Sequence, residues 1–243
     1  MWEYLVIAAI AFLAFYIKGI TGTGVGITLV ALCSLIIEPK TVIVLKAFVA
    51  VLGGLAMVRI DPVSVKTRFW VPVAGLMIIG SIIGASLLKI IDKNIFEIIL
   101  GCTFLIVSVW FLAFQPRKTS ENSKMPDQSN ALDCAVGGIS GFLGGFVGVN
   151  APILIPYFSR YFNKNHLRRF LVLIFIPAAL AETGTFIVNG MFTKQIFLYG
   201  LAMVPGMALG IYFGNKSFHK ISETWFRRIL GVFLLIASVK LIL

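Results

Sequence analysis

Eight apolar stretches fill this chain almost end to end: residues 4–37, 41–58, 69–88, 95–114, 131–158, 167–188, 196–212 and 225–243. About 20 apolar residues in a helix cross the hydrocarbon core of a bilayer. Nothing large enough for a separate water-soluble domain remains between the stretches. Their lengths also exclude a β-barrel, whose strands would read as alternating segments of about 10 residues. Only 13% of the residues are charged, against about 25% in soluble domains. These features predict an all-α polytopic integral membrane protein with about eight spans, multi-pass in the cell (inner or plasma) membrane and surrounded by the lipid bilayer.

Two of the stretches are overlong and interrupted by glycine. The first carries Lys18-Gly19-Ile20-Thr21-Gly22-Thr23-Gly24-Val25-Gly26, and the second runs from Gly137 through Gly141, Gly144, Gly145 and Gly148 to Asn150-Ala151-Pro152. Glycine costs about 1 kcal/mol relative to alanine inside a helix, so these clusters predict broken helices, with helical pieces at residues 5–16 and 27–37 in the first copy. Lipid cannot satisfy unwound backbone, which must be enclosed by protein or line a wet cavity. Paired breaks in matching places of two halves point to a transporter's substrate site.

The halves are related. A shift of 130 residues places Gly54 on Gly184, Gly80 on Gly210, Gly84 on Gly214, Gly101 on Gly231 and Ser108 on Ser238, while Gly19 meets Gly141 at a shift of 122. The chain therefore divides into a first membrane repeat (1–114), a polar linker (115–130) and a second membrane repeat (131–243), two homologous four-span halves, each beginning with a Gly-broken helix. Gly80 with Gly84, and Gly210 with Gly214, have the i, i+4 spacing of small residues that lets membrane helices approach closely.

On the glycine stretches and this two-half plan the chain resembles the TauE/SafE sulfite exporter-like membrane transporters. The first half lacks a Gly-Gly-Gly run and has no proline before Pro39, and the second carries Asn150-Ala151-Pro152. The resemblance implies a permease for small anions, within a range that includes sulfite, sulfonates and small carboxylates.

A chemical argument for an anion runs beside it. Backbone N–H groups at broken-helix N-termini attract negative charge, close backbone approach needs glycine, and neutral hydroxyls and amides add donors. The expected substrate-binding residues are Lys18, Gly19, Thr21, Gly22, Thr23, Gly24, Ser140, Gly141, Gly144, Gly145, Gly148 and Asn150. Ionisable residues inside spans are costly and functional by default. Lys18 either attracts the anion or snorkels to an interface, whereas Lys46, one turn into its span, is expected to snorkel. Glu97 and Asp133 sit at span starts and are expected to face the interface. Glu182 lies deep in its stretch and either carries a coupled proton or serves as a structural partner for Lys46 or Lys18.

Other chemistries lack their motifs. Lys18 precedes the glycines instead of following them, so no phosphate-binding loop is present. Cys33, Cys102 and Cys134 have no paired spacing and no histidine cluster, so neither metal nor cofactor is expected. The net charge of +11 sits mostly in short loops, where retained positive charge orients membrane proteins, and does not call for nucleic acid. No hydrolytic motif is visible, and an enzyme is not expected. The reading is a secondary transporter moving a small anion, a sulfur-containing oxyanion, sulfonate or small carboxylate, by alternating access between the repeats, with protons or Na+ as coupling ions. The alternatives are a membrane-embedded thiol redox carrier using Cys33 and Cys134, and an anion channel.

Overall fold

The computed structural model describes residues 2–21, 23–60, 65–113, 127–162, 164–217 and 223–242. Among them lie ten helices and no strand: α1 (Trp2–Thr21), α2 (Val25–Cys33), α3 (Pro39–Ile60), α4 (Thr67–Ile90), α5 (Lys93–Ala113), α6 (Ala131–Val147), α7 (Ala151–Phe158), α8 (Lys164–Val188), α9 (Lys194–Lys216) and α10 (Glu223–Ile242). Six of these, α1, α3, α4, α5, α8 and α9, are long and apolar enough to cross a bilayer. The α6 helix has 17 residues, and the apolar part of α10 among the described residues is Gly231–Leu241. Residues 114–126, most of the expected linker, lie outside the described residues.

Large apolar side chains cover the outer faces. Ile83 is 56% exposed, Ile106 69% and Leu201 57%. A surface this apolar suits lipid, because soluble monomers rarely expose large contiguous apolar patches.

The most extensive packing joins the first half of the chain to the second: α4 with α6, α1 with α9, α5 with α10, α4 with α8 and α3 with α8. Exchanging α1 with α6, α2 with α7, α3 with α8, α4 with α9 and α5 with α10 maps α4–α6 onto α1–α9 and α4–α8 onto the smaller α3–α9 contact, and maps α5–α10 and α3–α8 each onto itself. Because lipid tails are as apolar as leucine, membrane helices associate through close van der Waals packing and not by escaping their solvent. Glycine provides that closeness here. Gly80 and Gly84 of α4 meet the α6 backbone at Phe142 and Phe146, while Gly137, Gly141 and Gly145 of α6 meet the α4 backbone at Val73, Met77 and Ser81. In the other crossing, Gly206, Gly210 and Gly214 of α9 lie on the α1 backbone at Ala8, Phe12 and Tyr16. The packing role expected for the i, i+4 pairs is the one the structure shows.

This packing corrects the extent of the helix breaks. The α1 helix continues through Lys18, Gly19 and Ile20, and α6 runs unbroken through five glycines to Val147. Their propensity cost is outweighed by the helix crossings they permit, since tertiary packing routinely overrides propensity.

Asp133 also departs from expectation. It is buried, forms a reciprocal capping box with Asn130 at the start of α6, and accepts a 2.8 Å hydrogen bond from the Tyr157 hydroxyl. Arg160 lies 3.5 Å from the same carboxylate and stacks on the Tyr157 ring at 3.8 Å. The far end of α7 is thereby tied to the beginning of α6. Phe158 of α7 is held in a second core by Phe170, at 4.7 Å between ring centroids, and by Phe69.

Candidate functional site

Both glycine stretches end in a left-handed glycine. Gly24, just before α2, has φ 94°, and Gly148, just after α6, has φ 76°. Side chains with a Cβ rarely tolerate such φ values, so glycine fixes where α2 starts and where α6 stops. Among the described residues the interruptions are short, at 23–24 and 148–150.

The first turns of α2 touch the second break. A Cβ on Gly26 would run into the Gly148 carbonyl oxygen and lie 3.4 Å from Lys46 Cε. A Cβ on Gly148 would lie 2.7 Å from Val30 of α2. Neither Gly24 nor Asn150, the residues preceding α2 and α7, caps its helix through a side chain. The first N–H groups of these helices receive no N-cap side chain, and their positive dipole ends favour an anion.

Beside the breaks lies a buried ion pair. Lys46 Nζ stands 2.9 Å from Glu182 Oε2, and both side chains are almost wholly buried. The ammonium also donates to the Gly144 carbonyl at 3.2 Å. The Ser81 hydroxyl is 3.4 Å from Glu182 Oε1 and 3.3 Å from the Gly141 carbonyl, and can donate to one at a time. Four helices, α3, α4, α6 and α8, therefore converge on one carboxylate. Buried pairs of this kind are weak evidence for stability, yet removing one partner leaves an uncompensated charge and costs about 3–5 kcal/mol. The expected snorkelling of Lys46 is overturned, because its ammonium points inward to the only kind of partner that offsets its desolvation.

Of the residues proposed from sequence, Gly144 comes nearest to this pair. A Cβ there would lie 2.9 Å from Glu182 Oε1 and 3.2 Å from Asn150 Nδ2. Ser140 donates to the Asn150 carbonyl at 2.7 Å and fixes the second break from within α6. Thr23 is buried at the first break. Lys18 is buried in the last turn of α1, with its ammonium 5.6 Å from the Phe15 ring centre. Gly19, Gly141 and Gly145 instead pack on neighbouring backbone at Gly214, Met77 and Ser81. Gly22 and the side chain of Thr21 lie outside the described residues. Sequence reasoning passed over Ser81 and Gly26. Gly26 belongs to the glycine stretch and carried a signal, whereas a lone serine in an apolar helix carries none.

No group of three or more potential metal ligands occurs among the described residues. Cys33 on α2, Cys102 on α5 and Cys134 on α6 are free thiols.

A family model, Sulfite exporter TauE/SafE, matches residues 7–241, nearly the whole chain. The chain belongs to the TauE/SafE sulfite exporter family. No curated protein and no solved structure matches it. Membership makes this a multi-pass membrane protein of a transporter family whose name is taken from sulfite export. The resemblance drawn from the glycine stretches is thus confirmed at the level of family.

Proposed function

We propose that this TauE/SafE protein is a secondary transporter of a small anion, held where the start of α2 meets the break after α6. The observation that carries the reading is the contact of Gly26, in the first turn of α2, with the left-handed turn at Gly148, with the buried Lys46–Glu182 pair beside it. Helix N-termini without a side-chain cap, together with neutral donors, would hold an oxyanion and still release it. Sulfur oxyanions, sulfonates and small carboxylates are the candidate substrates.

The exchange symmetry of the packing supports two homologous halves, with α1–α2 and α6–α7 each acting as one broken span and eight crossings in all. On this reading the two glycine-lined crossings, α4–α6 and α1–α9, join the halves, and rocking about them would open the site alternately to either side. Glu182 is the carrier of a coupled proton, because it is the deeply buried carboxylate at the site. The cell membrane is its place of action. A thiol redox carrier is less well supported: Cys33 belongs to the main core around the breaks, while Cys134 packs against the separate core that holds Phe69 and Phe158.

Gly144→Leu tests the site, because the new side chain must displace the Glu182 carboxylate and the Asn150 amide. Folded, purified variant should bind methanesulfonate or sulfite at least about tenfold more weakly than the parent by calorimetry, since losing one charged hydrogen bond costs about 1.5–3 kcal/mol. Unchanged affinity would place the anion elsewhere.

A further inference from the structure

A cleft of about 580 Å³ opens between α3 and α9. Ala56 of α3 forms one wall, and Met207, Ile211 and Tyr212 of α9 form the other. Asn215 and Lys216, in the last turn of α9, close one end. From Met207 to Lys216 the helix rises about 14 Å, which matches roughly 15 Å of hydrocarbon in one leaflet. The cleft is therefore about one leaflet deep, apolar along its length and polar where α9 ends.

Its surroundings decide what fills it. Tyr212 is 63% exposed on the outer surface, so the cleft opens sideways to lipid. Apolar walls offer water none of the two to four polar partners it needs. The α3 and α9 helices still pack against each other, so the opening is only as deep as side chains are long. A third helix, about 10 Å across, has no room there, whereas an extended acyl chain does.

The polar end sets the headgroup. Lys216 is exposed at the end of α9, and no carboxylate lines the cleft among the described residues. The side-chain oxygen of Asn215 accepts a hydrogen bond from Arg168 of α8, which leaves the amide nitrogen to donate elsewhere. The sequence continues with the same sign: Lys220, Arg227 and Arg228 follow, against Glu223 alone. Basic clusters at the membrane ends of helices attract acidic lipids, and tyrosine is favoured at that level.

We infer that this cleft holds a phospholipid with an acidic headgroup, one acyl chain lying between α3 and α9 and the phosphate on Lys216 and the Asn215 amide. The lipid is a resident ligand and not cargo, because the residues lining the cleft include neither helix break and neither member of the Lys46–Glu182 pair. It braces α3 against α9, which pack less extensively than their counterparts α8 and α4.

Native mass spectrometry of the detergent-purified protein tests this with dioleoyl phosphatidylglycerol and dioleoyl phosphatidylcholine, alike in their chains and different in headgroup charge. The first phosphatidylglycerol should bind at least about tenfold more tightly than the first phosphatidylcholine. Lys216→Gln changes an exposed residue and should keep the fold while reducing that preference about fivefold, the effect of one lysine at an acidic headgroup. Ala208→Phe places a ring in the apolar part of the cleft and should abolish tight binding of phosphatidylglycerol. Equal affinities for the two lipids in the parent protein would overturn the acidic headgroup, and an unchanged preference in Lys216→Gln would overturn its docking on Lys216. Undiminished phosphatidylglycerol binding by folded Ala208→Phe would place the lipid elsewhere on the surface. Displacement of phosphatidylglycerol by inorganic phosphate alone would make this a site for a free anion and overturn the lipid as well.

Discussion

Glu182→Gln should leave the protein folded in detergent and abolish anion flux driven by a pH gradient in proteoliposomes. Glutamine keeps the volume of the side chain and an amide oxygen that can still accept from Lys46 or Ser81, the two donors now 2.9 and 3.4 Å away. What it removes is the capacity to bind and release a proton. Harsher changes at the pair should act on stability instead. Lys46→Met strands a buried carboxylate and Glu182→Leu strands a buried ammonium, each costing about 3–5 kcal/mol. Joining the two in one chain removes both charges and should restore most of the loss, as replacing a whole buried pair by apolar groups is often neutral. Thermal melts of the four proteins in one detergent would measure this. Proton-driven flux that persists in Glu182→Gln would remove Glu182 from the coupling mechanism, whatever the melts show.

The second large effect belongs to the helix crossings. Gly145→Ala should destabilise severely, although it adds a single methyl group. That methyl would be driven into the Ser81 carbonyl oxygen and lie 2.9 Å from the Ala85 backbone nitrogen of α4. Backbone cannot swing aside as a side chain can, so the whole α4–α6 crossing must open. Overpacking costs about 1–3 kcal/mol in ordinary cores, and displaced backbone brings this site to the top of that range or beyond. Gly214→Ala should behave alike at the α1–α9 crossing, where the new atom would be 2.9 Å from Gly19 Cα. Gly75 and Gly184 are the controls. Nothing lies within 4 Å of a Cβ at either, and both are within helices, so alanine there should be neutral or stabilise by about 0.5–1 kcal/mol. Equal melting shifts for all four variants would show that the crossings are not held by glycine.

These glycines also mark how far the fold could be read from residues alone. Helical spans, the overlong first stretch of each half and the i, i+4 pairs were legible because each leaves a local pattern. The breaks were legible in place but not in extent. A glycine that lets two helices cross, such as Gly141, and a glycine that ends a helix, such as Gly148, look the same in one dimension. Only the crossing partner and the sign of φ separate them.

At the site, Glu182 stood out because a carboxylate deep in an apolar run is expensive. Its bond to Lys46 spans 136 residues and has no local signature, so Lys46 looked like a lysine near a span end that would snorkel. The rule that buried charge must be matched was the available signal, and it named Lys46 and Lys18 equally as partners for Glu182. Asp133 was misjudged although Asn130 three residues earlier forms a recognisable capping box. What no pattern could supply is the burial of that carboxylate, which depends on Tyr157 and Arg160 closing over it from beyond the second break.

The central claim is that the anion sits where the start of α2 meets the second break. Selenium scatters anomalously, and selenite matches sulfite in pyramidal shape, so crystals of the protein grown with selenite locate the anion without reference to any variant. The predicted result is one strong selenium peak beside the contact between Gly26, at the start of α2, and the turn at Gly148. A selenium peak bound elsewhere in the protein, with that contact empty, would contradict the account.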